Sequence, residues 1–109
     1  VTGAVAALLG GSAVQIIITP PTASGVGSGN AVTSNSVTAS VAYGSIASGN
    51  WVFVSGNPGV TPISPTGFTT AFVSTMLTPE IRTATYAFEG LVNGVVYTSP
   101  DVPVTLERV

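Results

Sequence analysis

Six side chains in this 109-residue sequence carry charge: Glu80, Arg82, Glu89, Asp101, Glu107 and Arg108. There is no His, Cys or Lys, so most acid–base and nucleophilic schemes lack their usual parts. Ser and Thr are abundant but have no base to activate them. A carboxylate pair of the glycosidase kind would need two acids held about 5–10 Å apart in a cleft. Glu80 falls in a turn segment, Glu107 sits near the end of the chain, and Glu89 faces away from the core if Phe88 faces in. The four acids form no Asp/Asn/Gly-rich calcium loop. The stretch "SGVGSGN" (24–30) is glycine-rich but lacks the lysine of a phosphate loop. The expectation is a non-enzymatic protein with no catalytic residue, no metal ligand and no cofactor. Two arginines and a net charge of −2 also argue against nucleic acid, whose phosphate backbone needs several cations.

What the chain offers instead is strand-forming material. Val and Thr dominate, and 13 Gly and 8 Pro punctuate the runs, which makes it all-β. Its length suits one domain. So few charges give little colloidal repulsion, which fits a subunit of an assembly better than a free monomer. Residues 1–18, "VTGAVAALLGGSAVQIII", contain no charge. They are too short, and too interrupted at Gly10-Gly11, for a membrane span, and they lack the basic start of a secretory signal. They read as an apolar N-terminal arm, with a short helix over "AVAALL" as an option, leading into a first strand, "AVQIIITP". Residues 20–36 are rich in Gly, Ser and Asn and read as a loop. Val37, Ala39 and Val41 then alternate with polar residues as in a half-buried strand. In the next strand Trp51 and Phe53 share one face, Val52 and Val54 the other. "VTPISPTGFTTAFVSTM" holds two short strands, and "LTPEIR" is a crossover turn with Glu80 solvated. Short strands every 8–12 residues, with turn residues between them, indicate a β-sandwich over 19–109.

The succession "SNSVTASVAYG", "WVFVSGN", "ISPTGFTTAF", "RTATYAFEGLVNG" and "SPDVPVTLE" resembles the immunoglobulin-like modules of bacteriophage virion proteins, tail-associated ones above all. The likeness covers about residues 20 to 109 and rests on order and spacing. The sequence departs from that family at Phe88, where a cysteine is common, and has Trp51 and Phe53 where the family has Tyr and Trp. The resemblance implies an immunoglobulin-like β-sandwich of about seven strands. It also implies a structural role in a virion, at a tail tip, baseplate or fibre, with capsid decoration as the alternative. Partners would be other virion proteins or identical subunits. A host-surface glycan is the rival partner, for which Tyr43 and Tyr97, and less so Trp51, are the candidate surface contacts.

Three structural expectations follow. The core should contain Val37, Ala39, Val41, Trp51, Phe53, Phe72, Tyr86, Phe88, Val102, Val104 and Leu106. Phe88 replaces the missing cysteine as an apolar plug, and Tyr86 occupies a tyrosine-corner position. In the last hairpin, a three-residue loop, Val92-Asn93-Gly94, would keep even positions facing even positions, unless a bulge near Pro100-Asp101 restores the register. Pro103 would face outward on an edge strand. The arm should dock on another subunit, with Val5, Leu8 and Leu9 making the contact.

Overall fold

The computed structural model describes residues 14–109 and is all-β among them. The arm residues Val5, Leu8 and Leu9, and the stretch "AVAALL", lie outside the described residues. In chain order the segments are β1 (Ile16–Thr19), β2 (Ala23–Gly27), β3 (Ala31–Thr33), β4 (Val37–Val41) and β5 (Ser48–Gly56). They continue as β6 (Thr61–Pro62), β7 (Thr69–Thr70), β8 (Phe72–Thr75), β9 (Glu80–Val92), β10 (Val95–Thr98) and β11 (Val102–Arg108).

These eleven segments make seven strands, because four strands are interrupted. β1 pairs with β4; then the chain crosses layers through a cis Thr19–Pro20 bond, and β2 pairs parallel with β11. β3 runs into β4, and β7 into β8, while β10 and β11 both lie along β9. One layer is therefore β1, β3/β4, β7/β8 and β6. The other is β5, β9, β10/β11 and β2. This is the four-plus-three division of a constant-type immunoglobulin sandwich, with the second half of the first strand transferred onto the last.

Residues 20–36 are thus not a plain loop: β2 and β3 form inside them. A strand needs backbone partners more than bulky side chains, and here glycine is required. A Cβ on Gly25 would run into the Thr33 carbonyl, so this segment approaches the neighbouring backbone more closely than any side chain permits.

Side-chain hydroxyls mend the interrupted ladders. The Ser99 N–H donates to Phe88 O (2.8 Å), and Ser99 Oγ accepts from the Phe88 N–H (2.9 Å) while donating to Pro100 O. Ser34 repeats the arrangement in the other layer. Its N–H donates to Phe72 O (2.8 Å), and its Oγ accepts from the Phe72 N–H (2.9 Å) and donates to Asn35 O. In both places a buried serine supplies the acceptor that a kinked strand withdraws from a fully buried phenylalanine. Ser99→Ala or Ser34→Ala should each lower unfolding free energy by about 1–3 kcal/mol, the penalty for a buried N–H without a partner. Denaturant titration of the two variants measures it.

The last hairpin corrects the expected loop. Val92 pairs with Val95 across a two-residue Asn93-Gly94 turn, with φ of 52° and 79°. Both central residues take the positive φ that a type I′ turn requires, which Asn-Gly meets at little cost. The extra residue sits instead at Ser99–Asp101: Glu89 faces Thr98, but Tyr86 faces Val102. That shift returns Val102, Val104 and Leu106 to the core. Pro103 is exposed as expected, yet β11 is an edge only there. From Val104 onward it pairs with β2.

Six of the eight aromatic rings form one line of contacts through the core. In order they are Phe53, Tyr86, Phe72, Trp51, Phe88 and Phe68, with centroids 4.9–6.0 Å apart. Trp51 is buried and donates its indole N–H to Gly67 O at 2.9 Å. Two members of the expected core list fall outside it. Phe53 touches Tyr86 but remains 42% exposed. It lies on the outer strand β5, one residue before the bulge that makes Val54 the unmatched residue between Phe53 and Ser55. Val41 is only half-buried, at the end of β4.

Tyr86 donates its hydroxyl to Val60 O at 2.6 Å, a partner 26 residues upstream. This bond joins β9 to the segment before β6, in place of the short-range tyrosine corner that was expected. Burial raises the Tyr86 hydroxyl above its ordinary value of 10.0. The folded state therefore keeps a proton that the unfolded chain releases. The associated stability is fully present below pH 10 and is lost as pH rises from 10 through the raised folded value. Tyr86→Phe should make the loss of stability above pH 10 shallower, as read from denaturation midpoints across an alkaline series.

Candidate functional site

The charged groups are gathered toward one end of the sandwich. Glu80 pairs with Arg108 in register, and Ile81 with Glu107. Arg82 holds Glu80 through two bonds of 2.9 and 3.3 Å and also donates to Ser74 Oγ and Thr75 O, each at 3.0 Å. Glu80 is thus an ion-pair partner on a strand, not a solvated turn residue. Arg108 donates to Met76 O at 2.9 Å. These bonds fasten the start of β9 and the end of β11 to the end of β8, a structural clamp. The half-exposed Arg82–Glu80 pair itself adds no more than about 1 kcal/mol. Glu89 faces Thr98 and Asn50 in register, and Asp101 sits in the interruption before β11. Among the described residues no three acids, His or Cys come together as a metal site.

The opposite end carries a single charged side chain, Glu89 on β9. It is built from the end of β4, the 42–47 connection and the β9–β10 turn. The pieces are tied together: the Ala47 N–H donates to Leu91 O at 2.8 Å, and Gly44 lies against Val92 and Asn93. Ile16 pairs with Val41 there, so β1 begins at this end. Tyr43 projects from the connection with 76% of its surface exposed. Val95 and Val96 stand exposed on β10, whose far edge has no strand beside it among the described residues. That edge, "VVYT", has none of the charges or prolines that usually protect one. The outer edge of β5 is better covered, because the Trp51 N–H is taken by Pro65 O at 2.9 Å.

Among the described residues two depressions open at this end. The larger, about 260 Å³, is lined by Ala39, Val41, Gly44, Ser45, Ile46 and Phe68, and the smaller, about 130 Å³, lies between β5 and β9 near Glu89 and Val96. The Ala39 N–H donates to Phe68 O at 2.8 Å. Strand alternation sends the Val41 N–H the same way, where β7 no longer runs beside β4. The larger groove is therefore a place where a strand is missing from the layer.

Of the two candidate contact tyrosines, only Tyr43 is a surface residue. Tyr97 faces inward opposite Gly90 and packs, half-buried, against the core. The two-residue turn is the cause, since it puts odd positions of β10 on the inner face. Trp51 is withdrawn as a sugar-stacking residue by its burial. No helix among the described residues is long and apolar enough to cross a membrane. The groove was not foreseen from the sequence; its only local signal was the apolar spacing of Val41 and Ile46 around Gly44.

No family model and no curated protein matches the chain. Among solved structures it is similar to WR4, a C. elegans MSP family member, at 13% identity and a TM-score of 0.50, over 87% of this chain and 98% of that one. The likeness concerns the fold, and the chain is an immunoglobulin-like β-sandwich.

Proposed function

We propose that the protein is a non-enzymatic structural component of a tailed-bacteriophage virion, with its sandwich displayed and its N-terminal arm docked on a neighbouring subunit. The observation that supports a docked module is the charge-poor end at which β1 begins. Four of the six charges sit at the far end, while exposed Tyr43, Val95 and Val96 crowd the end where β1 begins. A free protein would gain nothing from an apolar segment emerging beside an apolar surface, whereas a subunit buries both. The virion setting and the tail position rest on the sequence resemblance, and the fold alone would serve many functions.

The test is to purify particles produced from the encoding genome, seek the chain by mass spectrometry, and label it with an antibody against the sandwich. Label on the tail is the expected outcome. Label on the head would favour capsid decoration, and particles without the chain would sink the virion reading.

A further inference from the structure

We propose that the 260 Å³ groove beside β4 receives residues 4–9 of a second copy of this chain, so that two sandwiches exchange arms at their charge-poor ends. This rests on the assembly role proposed above and names its first contact.

The groove has the chemistry of that segment. Its floor is Ala39, Val41, Ile46 and Phe68, and no charged side chain lines it. It exceeds the roughly 150 Å³ apolar cavity that admits a benzene ring, so aliphatic side chains fit it. "AVAALL" is uncharged and wholly apolar, with three larger side chains, Val5, Leu8 and Leu9, among alanines. Beside Val41 an entering strand also finds the backbone groups that β7 leaves unpaired.

The length and exit of the arm say whose segment it is. Ile16 pairs with Val41, so β1 begins on the edge of β4 opposite the groove, at the end of the domain. Residues 10–15 separate the segment from β1 and reach at most about 20 Å. Returning to its own groove would demand a reversal around the 42–44 connection. A second copy approaching end to end presents its groove in the arm's path. A two-fold arrangement then makes each copy both donor and acceptor, the usual economy of strand exchange. Glu89 is the one charged side chain at this end, so two like ends meet with little repulsion.

The chain has no cysteine, so engineered pairs report without background. Full-length Leu8→Cys and full-length Ser45→Cys, one of them isotopically labelled, are mixed and oxidised. A disulfide-linked heterodimer identified by mass is expected. The same two substitutions in one chain should link between chains as well. A cross-link closing within a single chain would overturn the exchange, as would no cross-link at all. Ser45 is exposed, so Ser45→Arg leaves the fold intact while placing a charge in the groove. It should weaken self-association by roughly tenfold or more in sedimentation, because an unpaired charge resists burial against apolar surface. Unchanged association would overturn the proposal. Both outcomes are separable from the virion reading, which depends on finding the chain in particles and not on how copies contact one another.

Discussion

Phe88→Ala should lower the unfolding free energy by about 3–5 kcal/mol, the range for truncating a buried aromatic ring. For a domain whose whole stability is roughly 5–15 kcal/mol, that is enough to leave a large unfolded fraction at moderate temperature. Three contributions add. Phe88 is fully buried, and burial of such a side chain is worth about 1.5–3 kcal/mol. Its ring has edge contacts with both Trp51 (5.0 Å) and Phe68 (6.0 Å), each worth about 0.5–1.5 kcal/mol beyond area. Its removal also cuts the aromatic line between Trp51 and Phe68 and leaves a cavity that β-strands on both sides hold open. A disulfide at such a position typically contributes about 2–4 kcal/mol by restricting the unfolded chain. In a chain without cysteine the ring provides a comparable amount from the folded side. Phe88→Leu keeps most of the volume and should cost visibly less. Urea titration should show a lower midpoint for Phe88→Ala with an unchanged slope. A midpoint equal to the parent's would mean that the ring is not the clamp between the layers.

What could be read from the sequence and what could not divide along one physical line. Period-2 alternation identified the inward positions of β4, β5, β9 and β11 at Val37, Trp51, Phe88 and Leu106, because on a half-buried strand burial writes itself into side-chain type. It erred where the backbone departs from plain pleating. Phe53 has the inward parity, yet a bulge at Val54 and a position on the outer strand leave it part-exposed. Strands β2 and β3 read as loop, since Gly25 answers to backbone proximity at Thr33 and not to burial, and β3 is only three residues long. The Asn93-Gly94 turn was legible in its own residues. The parity requirement is met by the stated alternative to the three-residue loop, a register shift near Pro100-Asp101, which falls at Ser99–Asp101. Of the two candidate contacts, Tyr43 is exposed, as a surface residue should be, whereas Tyr97 turns inward because the turn is two residues long. The groove depends on where β7 stops relative to β4, a pairing length that neither strand encodes alone.

Gly49→Ala is the second large effect, and its interest lies in coupling. Gly49 pairs with Gly90 beneath the Phe88 ring. A Cβ at Gly49 would press into that ring and stand 2.6 Å from Glu89 O, and a Cβ at Gly90 would stand 2.9 Å from the same ring. The two glycines are therefore the floor on which Phe88 lies, and a ring in place of a cysteine demands that floor. Overpacking of a filled core costs about 1–3 kcal/mol and more where the obstacle is backbone, so Gly49→Ala should fall at or beyond the top of that range. The ring part of the conflict should relax when the ring is removed, while the part against Glu89 O should not. A double-mutant cycle of Gly49→Ala with Phe88→Leu then has a definite expectation: the glycine substitution costs less in the leucine background, with a coupling in the range of about 0.5–3 kcal/mol typical of residues in contact, yet it does not become neutral. Full additivity would show that Gly49 is required by its backbone alone and that the space under Phe88 was never its role.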